Sequence, residues 1–191
     1  DLVDRGPNSK NVLRLAMGMQ AAGTALCVMG NHDDRFMRWL KGNEVQIAFG
    51  LETSIAEMRA SSPAFNQAVM AYLKSISYYH ALDGGALVVT HAGLRSDMLG
   101  ATGQAVRAYC CYGPVHRETG KRIHWAPQWK GPFKVIYGHT PIDQAAWLNG
   151  TLNLDTGCVF GGALTALRWP EDVLVSQPSS FDFYAEAGTA L

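Results

Sequence analysis

The chain has 191 residues, one domain's worth of material and enough to bury a sizeable single core. A 48% hydrophobic and 17% charged composition excludes intrinsic disorder, and sixteen basic against sixteen acidic residues exclude a broadly basic nucleic-acid coat. Apolar stretches such as Ala86-Leu-Val-Val89 fall far short of the roughly twenty residues of a membrane span, so one soluble, cytoplasmic domain over residues 1–191 is expected.

The opening Asp1-Leu-Val-Asp4-Arg5-Gly6-Pro carries neither an initiator Met nor a signal peptide and begins in mid-motif, so residues belonging before Asp1 are expected to be absent. Ser9 to Gln20 reads as a helix with Val12, Leu15, Ala16 and Met19 on one face. Thr24 to Met29 reads as a buried strand, closed by Gly30-Asn-His-Asp-Asp34. Helices are expected over Asp34 to Lys41, Glu52 to Arg59 and Pro63 to Ser75. Ala86 to Thr90 is a strand closed by His91-Ala-Gly, and Lys134 to Tyr137 is another closed by Gly138-His139-Thr-Pro141. Thr151 to Asp155, Ala163 to Trp169 and Asp172 to Ser176 follow as closely spaced strands. Gly100 to Pro132 is the least regular region. Cys27, Cys110, Cys111 and Cys158 lack the spacing of a zinc site or a disulfide framework and read as reduced thiols.

Polar residues fall in an informative place. Asn31, His91 and His139 each stand just beyond an apolar run of strand character, and loops at the carboxyl ends of strands line the ligand crevice of open α/β folds. One such His reads as structural. Three such ends, together with Asp1 in an Asp-x-x-Asp-Arg-Gly turn, point to a site for a divalent ion of the Mn, Fe or Zn kind, with no sulfur in the set.

Those residues carry a resemblance. Asp1-Leu-Val-Asp4-Arg5-Gly6, Gly30-Asn31-His32-Asp33, His91-Ala-Gly and Gly138-His139-Thr140 resemble, in order, four of the five motifs of the metallophosphoesterase (calcineurin-like) superfamily. The Asp-Arg-Gly and Gly-His-Thr forms are similar to its serine/threonine phosphatase and diadenosine tetraphosphatase branch. The tail Asn153-Leu-Asp155-Thr-Gly-Cys158 and its continuation to Arg168, with Arg38-Trp-Leu-Lys-Gly and Trp125-Ala, resemble the phosphatase module of bacterial polynucleotide kinase-phosphatases and their stand-alone relatives. No Asp-x-His, the first family motif, stands among these residues.

The resemblance implies an α/β fold, a four-layer α/β/β/α sandwich of two mixed sheets lacking its first strand-helix-strand portion. It also implies a phosphoric ester hydrolase using two divalent ions, Mn2+ foremost and Ni2+, Fe2+ or Zn2+ as alternatives, to raise a hydroxide that attacks phosphorus. Asp1, Asn31, His91 and His139 match metal ligands. His32 matches the general acid, steadied by Asp4, while Arg5 and Asn31 would bind substrate phosphate. Asp155 either orients a ligand His or metal water, or only stabilises its own turn. With a chain lacking two ligands, turnover far below that of a complete relative is expected. A nucleotide or RNA-end phosphomonoester or cyclic phosphodiester is the favoured substrate. Dinucleoside polyphosphates and phosphoproteins are the alternatives, and a non-catalytic metal- or phosphate-binding module stays open if the first motif is truly lost. No protein partner and no membrane are expected. His80, His116 and His124 read as surface or hydrogen-bonded residues. Trp39, Trp125, Trp129 and Trp147 read as core or rim aromatics, with Trp125 and Tyr112 also able to stack on a base. Arg107, Arg117 and Arg122 belong either to a phosphate contact or to a solvated loop.

Overall fold

The computed structural model describes residues 1–186, and the chain divides into two compact units, Asp1–His80 and Ala81–Leu191. The first unit is helical: α1 (Ser9–Ala21), α2 (Asn31–Leu40), α3 (Leu51–Arg59) and α4 (Pro63–Ser75). α3 and α4 each pack against both α1 and α2. Leu13, Phe36, Leu51, Met58, Val69 and Leu73 are fully buried, and each removes from water the equivalent of roughly 1.5–3 kcal/mol. α4 begins at its expected residue for a local reason. Pro63 occupies the first turn, where a missing N–H costs nothing, and the Ser62 hydroxyl accepts the Phe65 N–H at 3.2 Å. The first turn of α1 is satisfied from a neighbour: the Glu57 carboxylate on α3 accepts the Ser9 and Lys10 N–H groups at 3.1 and 2.6 Å.

Two sequence expectations fail in this unit. Thr24 to Met29 is not a strand; only Val28 bridges, to Ser77, and Leu26 lies exposed. An apolar run makes a strand only with a partner along its length, and here the contact is one residue long. The inward stripe of α1 is Ser9, Leu13 and Ala16, while Val12, Leu15 and Met19 are exposed. His80, expected to be a hydrogen-bonded residue, places Nε2 2.9 Å from the Cys27 carbonyl.

At β1 (Tyr79–Leu82) the first unit gives way to the second, which is built on a mixed five-stranded sheet in the order β1-β2-β3-β5-β4. β2 (Leu87–Thr90), β3 (Lys134–Tyr137) and β5 (Thr151–Asn153) run parallel, and β4 (Trp147–Leu148) returns antiparallel at the edge. Leu87, Ile136 and Leu152 form its buried centre. The remaining sheet is an antiparallel ribbon, β6 (Ala163–Arg168) with β7 (Val173–Pro178), rather than a second mixed sheet. The irregular stretch holds an unforeseen helix, α5 (Gln104–Tyr112), bounded by Gly103 and Gly113, both at positive φ. A last short helix, α6, covers Phe183–Glu186. Lys134 lies over the rings of Trp147 and Trp169 at 4.6 and 4.8 Å, and the Trp147 indole donates to Asp172 at 2.8 Å. All four cysteines are free thiols, and burial pushes Cys110 up to about 11, which leaves it unreactive at neutral pH. Among the described residues no helix is long and apolar enough to cross a membrane.

Candidate metal centre

In the first unit the Asp-Arg-Gly turn is backbone-determined. Asp4 and Arg5 both stand at positive φ, 73° and 57°, and the Gly6 N–H closes on the Asp4 carbonyl at 2.5 Å. A Cβ at Gly50 would collide with the Arg5 backbone, so that glycine lets the turn come close. The turn delivers the Asp4 carboxylate into a buried network. Its Oδ2 lies 2.6 Å from His32 Nδ1 and 3.2 Å from an Arg35 nitrogen, and its Oδ1 accepts the Ser54 hydroxyl at 2.8 Å. The Asp4 N–H donates to the hydroxyls of Ser54 and Ser9 at 3.0 and 3.2 Å. A surface salt bridge is thereby excluded for Asp4, which is 7% exposed. Burial is the largest influence on the His32 imidazole and holds it below its ordinary range. The Asp4 hydrogen bond opposes this, and the charges of Arg5 and Arg35 reinforce it.

Asn31 and His32 open α2. Asp33, three residues into the helix from Gly30, accepts the Gly30 N–H at 3.0 Å and the Leu2 N–H at 2.7 Å, binding the first residues to the helix start. The Asp1 carboxylate accepts the His32 N–H at 3.0 Å, an anion on the positive end of a helix. A Cβ at Gly30 would fall on that same carboxylate, so Gly30 is the cradle in which Asp1 rests. Arg35 and Ser54 were not foreseen. Arg35 follows His32 by three positions and so shares its helix face, a signal that was available. Ser54 lies fifty residues from Asp4 and offered none.

In the second unit His91 directly follows β2 and His139 follows β3 by two residues, at the carboxyl ends of parallel neighbours. His91 Nε2 and His139 Nδ1 stand 2.9 Å apart with the rings edge to face. Two imidazole nitrogens so close must share one proton or one cation. Main chain sets this geometry. The Gly138 N–H donates to the His91 carbonyl at 2.8 Å, and His139 takes a left-handed φ of 74°. The Asn153 amide donates to the Thr140 carbonyl at 2.8 Å and accepts the Asp155 N–H at 2.9 Å. Asp155 accepts the Gly157 N–H at 3.1 Å, so it does stabilise its own turn.

The donor sets suit a divalent ion. The first unit presents a carboxylate oxygen seated against a glycine; the second presents facing imidazole nitrogens; both donor types suit a divalent ion of the Mn, Fe or Zn kind.

Comparison with known proteins agrees. Residues 1–172 match the model of the calcineurin-like phosphoesterases. The chain is 40% identical to a bis(5'-nucleosyl)-tetraphosphatase PrpE [asymmetrical] of Anoxybacillus flavithermus, over 97% of this chain and 80% of that protein. It is 43% identical to the protein of the same name from Halalkalibacterium halodurans, over 94% and 76%, and 41% identical to that from Bacillus subtilis, over 96% and 79%. A crystal structure described as a proposed diadenosine tetraphosphatase superposes with a TM-score of 0.67 at 26% identity, covering 94% of this chain and 78% of that one.

Proposed function

The chain belongs to the calcineurin-like phosphoesterases, a family of metal-dependent phosphoric ester hydrolases, and on that premise we propose that it cleaves bis(5'-nucleosyl) tetraphosphates asymmetrically. The substrate is the dinucleoside-polyphosphate alternative of the sequence reading, preferred over an RNA end because all three relatives described above bear that name. The observation that carries the chemistry is the buried 2.6 Å contact between His32 Nδ1 and Asp4.

Asp1, Asn31, His91 and His139 would hold a divalent ion, manganese by preference, and the complete protein would hold two. When bound, the ions supply Lewis-acid polarisation of the phosphoryl oxygens and an activated water. The protein's own groups do the rest. Asp4 fixes the His32 ring through Nδ1, leaving Nε2 as the proton site that serves the departing oxygen. Arg35 and Ser54 hold Asp4 in turn. Arg5 sits in the same turn as Asp4 and influences His32 electrostatically; its planar fork suits phosphoryl oxygens. Asn31 contributes an amide to phosphate as well as to metal.

The test is to incubate the full-length protein and Mn2+ with diadenosine tetraphosphate and to resolve products by anion exchange. Equimolar ATP and AMP are expected. Two molecules of ADP, or no cleavage alongside brisk phosphate release from an RNA end or a phosphopeptide, would overturn the reading.

A further inference from the structure

Beside His139 the second unit encloses a cavity of about 250 Å³, walled by Tyr112, Ile123, Trp125 and Ile142, with Arg122 at its polar side. The walls are aromatic and aliphatic, which favours a flat, weakly polar ring system over a phosphate chain. The volume lies just below the roughly 300–1,000 Å³ of sites for drug-sized ligands, so it suits one nucleoside and not a whole dinucleoside tetraphosphate.

The two aromatics differ in kind. Trp125 is 8% exposed, its indole N–H donates to the Ala92 carbonyl at 3.0 Å, and its ring lies 4.8 Å from that of Tyr137. A Cβ on Gly93 would meet that indole at 2.7 Å, so Trp125 is a wall fixed in place. Tyr112 ends α5 and is 37% exposed, next to Gly113, where the chain turns away at φ 70°. Its side chain is part of the cavity's lining. Arg122 reaches the His139 carbonyl and the Thr140 hydroxyl at 3.5 and 3.3 Å, which places a guanidinium between the cavity and the loop carrying His139. The Asn153 amide in the wall is engaged by backbone on both of its polar atoms.

We propose that this cavity is a nucleoside subsite, with Tyr112 stacking on the base, Trp125 as its rigid wall and Arg122 meeting the first phosphate. The inference rests on the dinucleoside-polyphosphate reading and adds the residues that recognise the nucleoside. Stacking on Tyr112 reads the base by its face, which the purines share. Adenine and guanine dinucleotides should then differ in KM by only a few-fold.

Tyr112→Ala should raise KM for diadenosine tetraphosphate roughly 5- to 150-fold, the range that base–aromatic stacking supplies. Its kcat/KM on p-nitrophenyl phosphate, which has no base, should stay at the wild-type value, and Tyr112→Phe should match wild type on both. Equal losses on the two substrates, or an unchanged KM for the dinucleotide, would remove Tyr112 from the subsite while leaving the substrate assignment standing. If wild-type protein fails to cleave the dinucleotide, the substrate assignment is what falls. Calorimetric titration with AMP then judges the cavity alone. Weaker binding by Tyr112→Ala than by wild type and Tyr112→Phe supports the subsite; equal binding, or none, overturns it.

Discussion

At Asp4 and His32 a network of side chains is added to a left-handed turn, whereas the contacts described around His91 and His139 are mostly main chain. Around Asp4, hydroxyl, guanidinium and imidazole groups from two helices, α2 and α3, converge on one buried carboxylate. Around His139 the ordering comes from a left-handed backbone, a Gly138 N–H on the His91 carbonyl and an amide that ties two loops. A network of side chains can tune protonation, because each member alters the charge of the next. A backbone frame can only position. The first arrangement suits a proton donor and the second suits ligands that must hold still.

The largest effect should come from His91→Ala and His139→Ala. Each deletes a ring nitrogen from the facing pair. The several kcal/mol of charge stabilisation due to the metal should go with it, on the order of 10⁴-fold in turnover. Metal content by mass spectrometry should fall in parallel, with partial recovery in excess Mn2+ by mass action. Retention of full metal content would sink the ligand assignment.

His32→Ala should cost about 10²- to 10³-fold on substrates with poor leaving groups and distinctly less on p-nitrophenyl phosphate, with metal retained. Asp4→Asn should cost less, and the double variant should be no worse than His32→Ala alone, because the pair works as a unit. Additive losses in that cycle would show that Asp4 acts independently of the imidazole.

Ser54→Ala sharpens the contrast from the side of stability. Loss of a hydrogen bond to a buried carboxylate is worth about 1.5–3 kcal/mol, a drop of several degrees in melting temperature, while turnover should change less than about tenfold. Thermal scans and kinetics on one preparation check both halves of that statement. The smallest effect is expected of Asp155→Ala, which removes a turn contact of about 1 kcal/mol and should leave metal content untouched. A fall in metal content there would give Asp155 the orienting role.

What the sequence disclosed follows the same division. Helix α4 and strand β3 have the expected ends because Ser62 and Pro63 at the one, and the short apolar run closed by Gly138 at the other, act within a few residues. His91 and His139 were legible as strand-end residues for the same reason. The segment from Thr24 to Met29 misled because strand formation depends on a partner, and residue spacing within the run says nothing of one. Helix α5 lies in the stretch that reads as irregular, because the two glycines that mark its limits also read as turn signals. Ser54 and Ser9 were invisible because their hydroxyls reach Asp4 only after α1 and α3 have packed. Motif spacing revealed the Asp4–His32 pair; tertiary packing alone supplies its supports.

The stacking of Lys134 on Trp147 and Trp169 has a consequence for the sheet's outer margin. β4 is only two residues long, and its Trp147 is held by a cation on one side and by Asp172 on another. A short border carrying a positive charge and a tethered indole is a poor template for pairing with another chain. The sheet that positions both histidines therefore carries its own guard against edge-to-edge aggregation.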